Sequence, residues 1–172
     1  MERSRKALLD GAREAIAQNG LTATSMVDIA DFGQVARATL YNHFRSKDEL
    51  WQALILDEIE NASAMFRAQT TFESGLSALA TSIGANPMLR TIADDDPATL
   101  VALIKVNENP LWKEIYRRFS ILAKERKVTD LATVDVAFRW LISQIAYPLA
   151  PELIPSAAAV VARIAKFPAV LF

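Results

Sequence analysis

Apolar positions recur at helical spacing along almost the whole chain. Leu8, Leu9, Ala12, Ala15 and Ile16 share one face of a first helix, with Ser4 as its cap, an end near Asn19 and Gly20 as the stop. Ser25 is followed three residues later by Asp28, close to a capping box with Asp in place of the longer Glu. It opens a short helix to about Asp31 or Phe32, and a second short helix ends near Phe44. Ser46-Lys47-Asp48-Glu49 is a full S-x-x-E box and starts a long helix, Lys47 to about Ala68. Further helices are expected over Phe72 to Ala85 and Pro87 to about Ala93. Asp96-Pro97 and Asn109-Pro110 each place a cap before a first-turn proline, opening Ala98 to Val106 and Leu111 to about Lys127. Thr133 to Tyr147 is strongly apolar, and Ser156 caps a last helix to Phe167, ended by Pro168. No stretch alternates with period two between turns, as a strand would.

The pattern predicts an all-α fold of about nine helices, three short ones at the N-terminus and longer, more apolar ones after them. No loose linker separates the parts. The boundary therefore falls in the helix that begins at Lys47, giving residues 1–48 and 49–172 as two domains.

Composition agrees with helices: 52% of residues are apolar and only 5 are glycine. No run of apolar residues is long enough for a membrane span, and the opening MERSRKALLD lacks the apolar core of a secretory signal. The chain has no cysteine, which excludes disulfides and cysteine metal sites and fits a cytoplasmic protein. The net charge is −1, so bulk attraction does not draw it to polyanions. Distribution changes the picture. Residues 34–47 carry Arg37, Arg45 and Lys47 and no acid, and Arg3, Arg5 and Lys6 sit against Glu2 alone. Such patches suit a protein that touches phosphates at one end, and they also occur as ordinary solvated surface.

The two short helices have the makings of a helix-turn-helix. Ala30 is a small residue for the crossing, and Ile29, Val35 and Leu40 supply a shared apolar core. The second helix then offers Arg37, Ala38, Thr39, Tyr41, Asn42 and His43 on its outer side. A helix of this size fits the major groove, with N-terminal residues at base edges and flanking groups at phosphates.

The stretch TSMVDIADFGQVARATLYNHFRSKDEL, residues 24–50, resembles the DNA-binding signature of TetR-family transcriptional repressors. The matching elements are Ser25 as cap, the Ile29-Ala30 pair, the run Thr39 to Phe44, and Lys47-Asp48-Glu49-Leu50 after a short basic turn. With the preceding helix the resemblance covers residues 4–60. It implies a homodimer placing two recognition helices in successive major grooves of a palindromic operator. A C-terminal domain would hold the dimer interface and a pocket for a small-molecule effector that releases DNA.

Two positions depart from the family's Ala-Gly-Val-Ser, where this chain has Gly33-Gln34-Val35-Ala36. A non-glycine residue in a left-handed turn costs about 1 kcal/mol, and loss of a serine cap costs about as much. Either Gly33 takes the turn, shifted by one residue, or Gln34 adopts it under tertiary constraint.

The resemblance and the chemistry together assign candidate roles. Ser25, Thr39, Tyr41, His43 and Lys47 are candidates for phosphate contact. Arg37 and Asn42 are candidates for reading guanine and adenine by bidentate hydrogen bonds, with Ala38 beside them. Arg3 and Arg5 form either an arm on DNA or a tail. His43 is the only histidine and has no partner of metal-ligand type, and Asp94-Asp95-Asp96 reads more simply as an exposed turn than as a cation site. No metal or cofactor is expected.

Trp112, Tyr116 and Phe119 fall at i, i+4 and i+7 of one helix. With Met65, Phe66, Ile83, Met88, Ile92 and Leu103 from neighbouring helices, they either line an effector cavity or form a plain core. Arg90, Lys105 and Glu108 are the few charges within reach, so an apolar or aromatic ligand is expected. Val134, Phe138, Leu141, Ile142 and Ile145, with Val160, Val161 and Ile164, make two helices apolar nearly all round. A four-helix dimer interface would cover them. Two further classes stay open: an architectural DNA-binding protein with the same heads and no effector, and an enzyme on an all-α frame. One histidine, no cysteine and no glycine-rich phosphate loop make catalytic groups hard to assemble for the last.

Overall fold

The computed structural model describes residues 2–95, 97, 98, 101 and 110–164. These contain nine helices and no strand. In chain order they are α1 (Glu2–Asn19), α2 (Met26–Phe32), α3 (Arg37–His43), α4 (Lys47–Arg67), α5 (Phe72–Ala85), α6 (Pro87–Asp95), α7 (Pro110–Glu125), α8 (Leu131–Ala146) and α9 (Ile154–Ile164). Most of the expected segment Ala98 to Val106, with Asp96 and Leu103, lies outside the described residues, as does the chain after Ile164.

Three helix starts differ from the sequence expectation. Ser4 lies inside α1, which already runs from Glu2, so it is not a cap. Ser156 lies inside α9, whose first turn accommodates Pro155 because the N–H groups there need no partner within the helix. Asp130 caps α8, accepting from the Thr133 backbone N–H at 2.8 Å and from its hydroxyl at 2.7 Å. Thr133 is thus the residue being capped, three positions in.

The chain divides into two compact units, Met1–Glu60 with Pro87–Leu100, and Asn61–Asn86 with Val101–Phe172. The break falls inside α4, the helix expected to hold it, but at 60/61 rather than 48/49, and the first unit also takes α6. Apolar burial explains α6: Met88 and Ile92 are buried, and the Thr91 hydroxyl donates to the Ala17 carbonyl of α1 at 2.8 Å.

Within the first unit α1 and α2 meet backbone to backbone. A Cβ on Gly11 would lie 2.4 Å from the Gly33 nitrogen and 2.6 Å from the Ile29 oxygen, and one on Gly33 would lie 2.7 Å from the Ala7 oxygen. Only glycine permits that approach. Arg13 then ties α1 to α4. Its Nε donates to Glu58 at 2.6 Å, Nη1 to Asp10 at 2.7 Å, and Nη2 to Asp57. In the second unit α5, α7, α8, α9 and the end of α4 enclose an aromatic core. Phe66 meets Phe72 and Phe119 edge-on at 6.0 and 6.4 Å, and Phe119 meets Phe138 at 5.7 Å. Such offsets are the favoured geometry for aromatic pairs.

Candidate nucleic-acid interface

The helix-turn-helix is built from α2, α3 and the turn between them. Ser25 caps α2 with a reciprocal box. Its hydroxyl oxygen accepts from the Asp28 N–H at 3.2 Å, and the Asp28 carboxylate accepts from the Ser25 N–H at 2.8 Å. The Ser25 hydroxyl also donates to that carboxylate at 2.7 Å. These two bonds, and secondarily the charge of Lys47, hold the Asp28 carboxyl below its ordinary range. Ser25 therefore spends its hydroxyl proton inside the motif and presents none to a phosphate in this structure.

The turn question resolves on backbone angles. Gly33 is right-handed, with φ −73° and ψ −5°, so the shifted turn is rejected. Gln34 takes the left-handed conformation at φ 51°. The Gln34 N–H donates to the Asp31 carbonyl at 3.1 Å and the Val35 N–H to the Ala30 carbonyl at 2.9 Å. That is the Schellman pattern, with Gln34 where glycine is the usual occupant. Gly33 is required for a different reason, its approach to α1. Ala36 starts α3 at φ −58° and ψ 139° and gives no side-chain cap. The first N–H groups of α3 are left to outside acceptors.

Helix α3 buries Leu40 completely and turns its other side outward. Arg37, Ala38, Tyr41 and Asn42 are exposed, Tyr41 at 53%, while Thr39 and His43 are half-buried. Arg37 lies 3.8 Å from Asp31, an exposed and weak pair that leaves it free to reorient. His43 leans on Phe44, ring centroids 6.2 Å apart. Lys47 is placed differently from its expected phosphate role. Its ammonium donates to the Leu21 and Thr22 carbonyls at 3.3 Å each and sits 5.4 Å from the Trp51 ring centroid, tying the α1–α2 loop to α4. Arg3 and Arg5 are no tail: both lie in the first turns of α1, and Arg5 stacks over the Phe44 ring at 5.7 Å, next to the end of α3. Only a fold-level view brings that cation beside α3.

A family model described as bacterial regulatory proteins, tetR family, matches residues 8–54, the span just described. Over those residues the chain carries the DNA-binding region of TetR-family regulators. The HTH-type transcriptional regulator UidR of Escherichia coli (strain K12) is 42% identical over 64 residues, 37% of this chain and 33% of that protein. The chain thus matches about a third of the length of that curated relative. The TetR family repressor AlkX from Dietzia sp. strain DQ12-45-1b, a protein implicated in biodegradation of n-alkanes, is similar in fold. Its TM-score is 0.63 at 22% identity, covering 94% of this chain and 95% of that one. FadR from Bacillus subtilis, solved with stearoyl-CoA, has a TM-score of 0.54 at 16% identity, covering 91% and 96%. These similarities show that the all-α fold of those neighbours extends over most of the chain.

The residues expected at a TetR-type effector pocket do not all fall in one unit. Met65, Phe66, Ile83, Trp112, Tyr116 and Phe119 belong to the second, and Phe66, Trp112 and Phe119 are buried in its core. Met88 and Ile92 belong to the first, because they pack with α6 among its residues. Leu103 lies outside the described residues. The expected dimer face also needs correction. Val134, Phe138, Leu141 and Val161 are buried in their own unit's core, so they are not available to a second copy. Ile142, Ile145 and Ile164 are half-buried, and Val160 stands out at 63% exposure. The helices are apolar all round because one side is core. Val136 and Val160 are exposed on these helices, and Tyr147 and Leu153 are exposed on the segment between them.

Proposed function

We propose that the chain is a transcriptional repressor that binds a palindromic operator as a homodimer and is released by a small apolar or aromatic effector. The observation that carries the DNA reading is the outer side of α3. Arg37, Ala38, Tyr41 and Asn42 stand exposed around uncapped N–H groups, while Leu40 anchors the opposite side. Uncapped helix N-termini and cations favour phosphates, and exposed side chains of this kind read base edges. Arg37 and Asn42 are assigned to bases and Tyr41 to a phosphate. Thr39 and His43 support the helix from its flanks, and the first unit serves as the DNA-binding domain.

The homodimer reading rests on the exposed apolar side chains of α8, α9 and the segment between them, which exceed what a solvated helix normally shows. The effector reading rests on the aromatic second unit and on the fold shared with a neighbour solved with stearoyl-CoA. The close packing of Phe66, Phe72 and Phe119 keeps an architectural protein without an effector as the second reading.

The test is DNA binding by two variants. Tyr41→Ala lowers affinity for every sequence, as loss of a phosphate contact does, while Asn42→Ala relaxes discrimination at one base pair by about 1–3 kcal/mol. An equal loss on all sequences from Asn42→Ala removes its base-reading role. Sedimentation at micromolar concentration tests the dimer, and Val160→Glu is expected to shift it to monomer.

A further inference from the structure

In the second unit one side chain has its single polar group buried without a partner among the described residues. The indole nitrogen of Trp112 is shut off from solvent and meets no acceptor among the described residues, on a side chain only 7% exposed. The other buried polar side chains differ. Thr24 donates to the Gly20 carbonyl, Thr133 to Asp130, and Gln144 bonds through both ends to Trp140, Ser143 and Leu149. Arg126 also has a buried Nε without an acceptor, but its Nη2 donates to the Arg67 and Gln69 carbonyls. Tryptophan has a single donor, so Trp112 has no second group to satisfy. A buried donor without a partner is costly enough that native structures rarely keep one without a use.

The surroundings define what fits. Trp112 meets Phe138 edge-on at 6.0 Å, and Phe138 in turn packs 5.1 Å from Tyr116 and 5.7 Å from Phe119. Among the described residues these rings bring no cation, so a carboxylate or phosphate set against them would find no charge partner on them, which costs far more than burying a carbonyl. We propose that the effector carries a neutral hydrogen-bond acceptor, a carbonyl or a ring nitrogen, that seats on the Trp112 indole N–H. The assignment rests on the effector reading given above and narrows it from an apolar molecule to one bearing a single neutral acceptor.

The experiment compares two probes of nearly one shape, benzophenone and diphenylmethane, on the full chain. Calorimetry is expected to give benzophenone about tenfold tighter binding, the return from giving one buried donor an acceptor. Trp112→Phe is expected to abolish that preference, so that the two probes bind equally whatever their common affinity becomes. Indole N–H resonances of the unmutated protein supply a second reading that needs no variant to fold. Of the three tryptophans, the Trp112 resonance alone moves with benzophenone and stays with diphenylmethane. Equal affinity for the two probes, or a preference that survives Trp112→Phe, overturns the assignment and leaves an apolar effector site standing. Failure of both probes to bind overturns the effector reading and the assignment with it.

Discussion

The two units use glycine to opposite ends. In the first, Gly11 and Gly33 let two backbones touch, and the atoms a Cβ would strike are backbone nitrogen and oxygen. In the second, Gly75 makes room for a side chain: a Cβ there would lie 2.4 Å from the Phe66 ring. The head joins that backbone approach to an aliphatic core that includes Leu8, Leu9, Ile16, Ile29 and Leu40, and leaves the other side of α3 exposed. The body is held by ring volume, so its fold and any effector contact draw on the same residues. Substitutions should therefore separate by unit, destabilising the body through lost volume and the head through lost approach.

The largest effect is expected from Phe66→Ala. It removes a fully buried ring that touches both Phe72 and Phe119, a loss of about 3–5 kcal/mol read from urea unfolding. Gly33→Ala comes next, at about 3 kcal/mol, because backbone cannot rotate aside as a side chain can. If Gly33→Ala is neutral, the close α1–α2 approach is not what the head depends on. Gln34→Gly runs the other way. Removing the left-handed strain at φ 51° should stabilise the head by about 1 kcal/mol, and a destabilised variant would mean that Gln34 makes compensating contacts.

The smallest effect is a pH dependence. Hydrogen bonds from Ser25 depress the folded-state pKa of Asp28, so the carboxylate stabilises the head above its unfolded pKa and loses that contribution as pH falls through the folded value. The stability difference between the parent chain and Asp28→Asn should narrow from neutral pH into acid. A constant difference would exclude the capping carboxylate as its source. In the body, Glu114 accepts from Arg117 at 2.7 Å and from Arg118 at 2.8 Å, which pulls its carboxyl down to about 2. Its titration by NMR should stay flat through the range where ordinary glutamates protonate.

Local chemistry was legible in the sequence. The Ser25/Asp28 box, the Ser46 cap on the Glu49 N–H, the frame of Ile29, Ala30 and Leu40, and the exposure of Arg37, Ala38, Tyr41 and Asn42 all depend on spacings of a few residues, whereas the Glu49 carboxylate accepts from the Arg45 N–H and so leaves the expected full box at Ser46 half closed. Contacts that join distant segments were not legible. The Gly11–Gly33 approach, the ties of Arg13 to Asp57 and Glu58, and the anchoring of Lys47 on the Leu21 and Thr22 carbonyls each join residues about twenty or more positions apart. The two apolar-all-round helices misled for the same reason. Periodicity reports that Val134, Phe138 and Leu141 are covered, and cannot say whether a second copy or the chain's own α5 and α7 cover them. The turn turned on one φ angle, for which Gly33 and Gln34 were both candidates.

Whether the exposed side of α3 reads DNA is decided by titrating the full chain onto palindromic DNA from its own upstream region across a series of salt concentrations. Binding is expected to be tighter than to unrelated duplex, with log K falling linearly against log salt as several phosphate contacts displace counterions. Binding no tighter than to unrelated duplex, with a flat salt dependence, would contradict it.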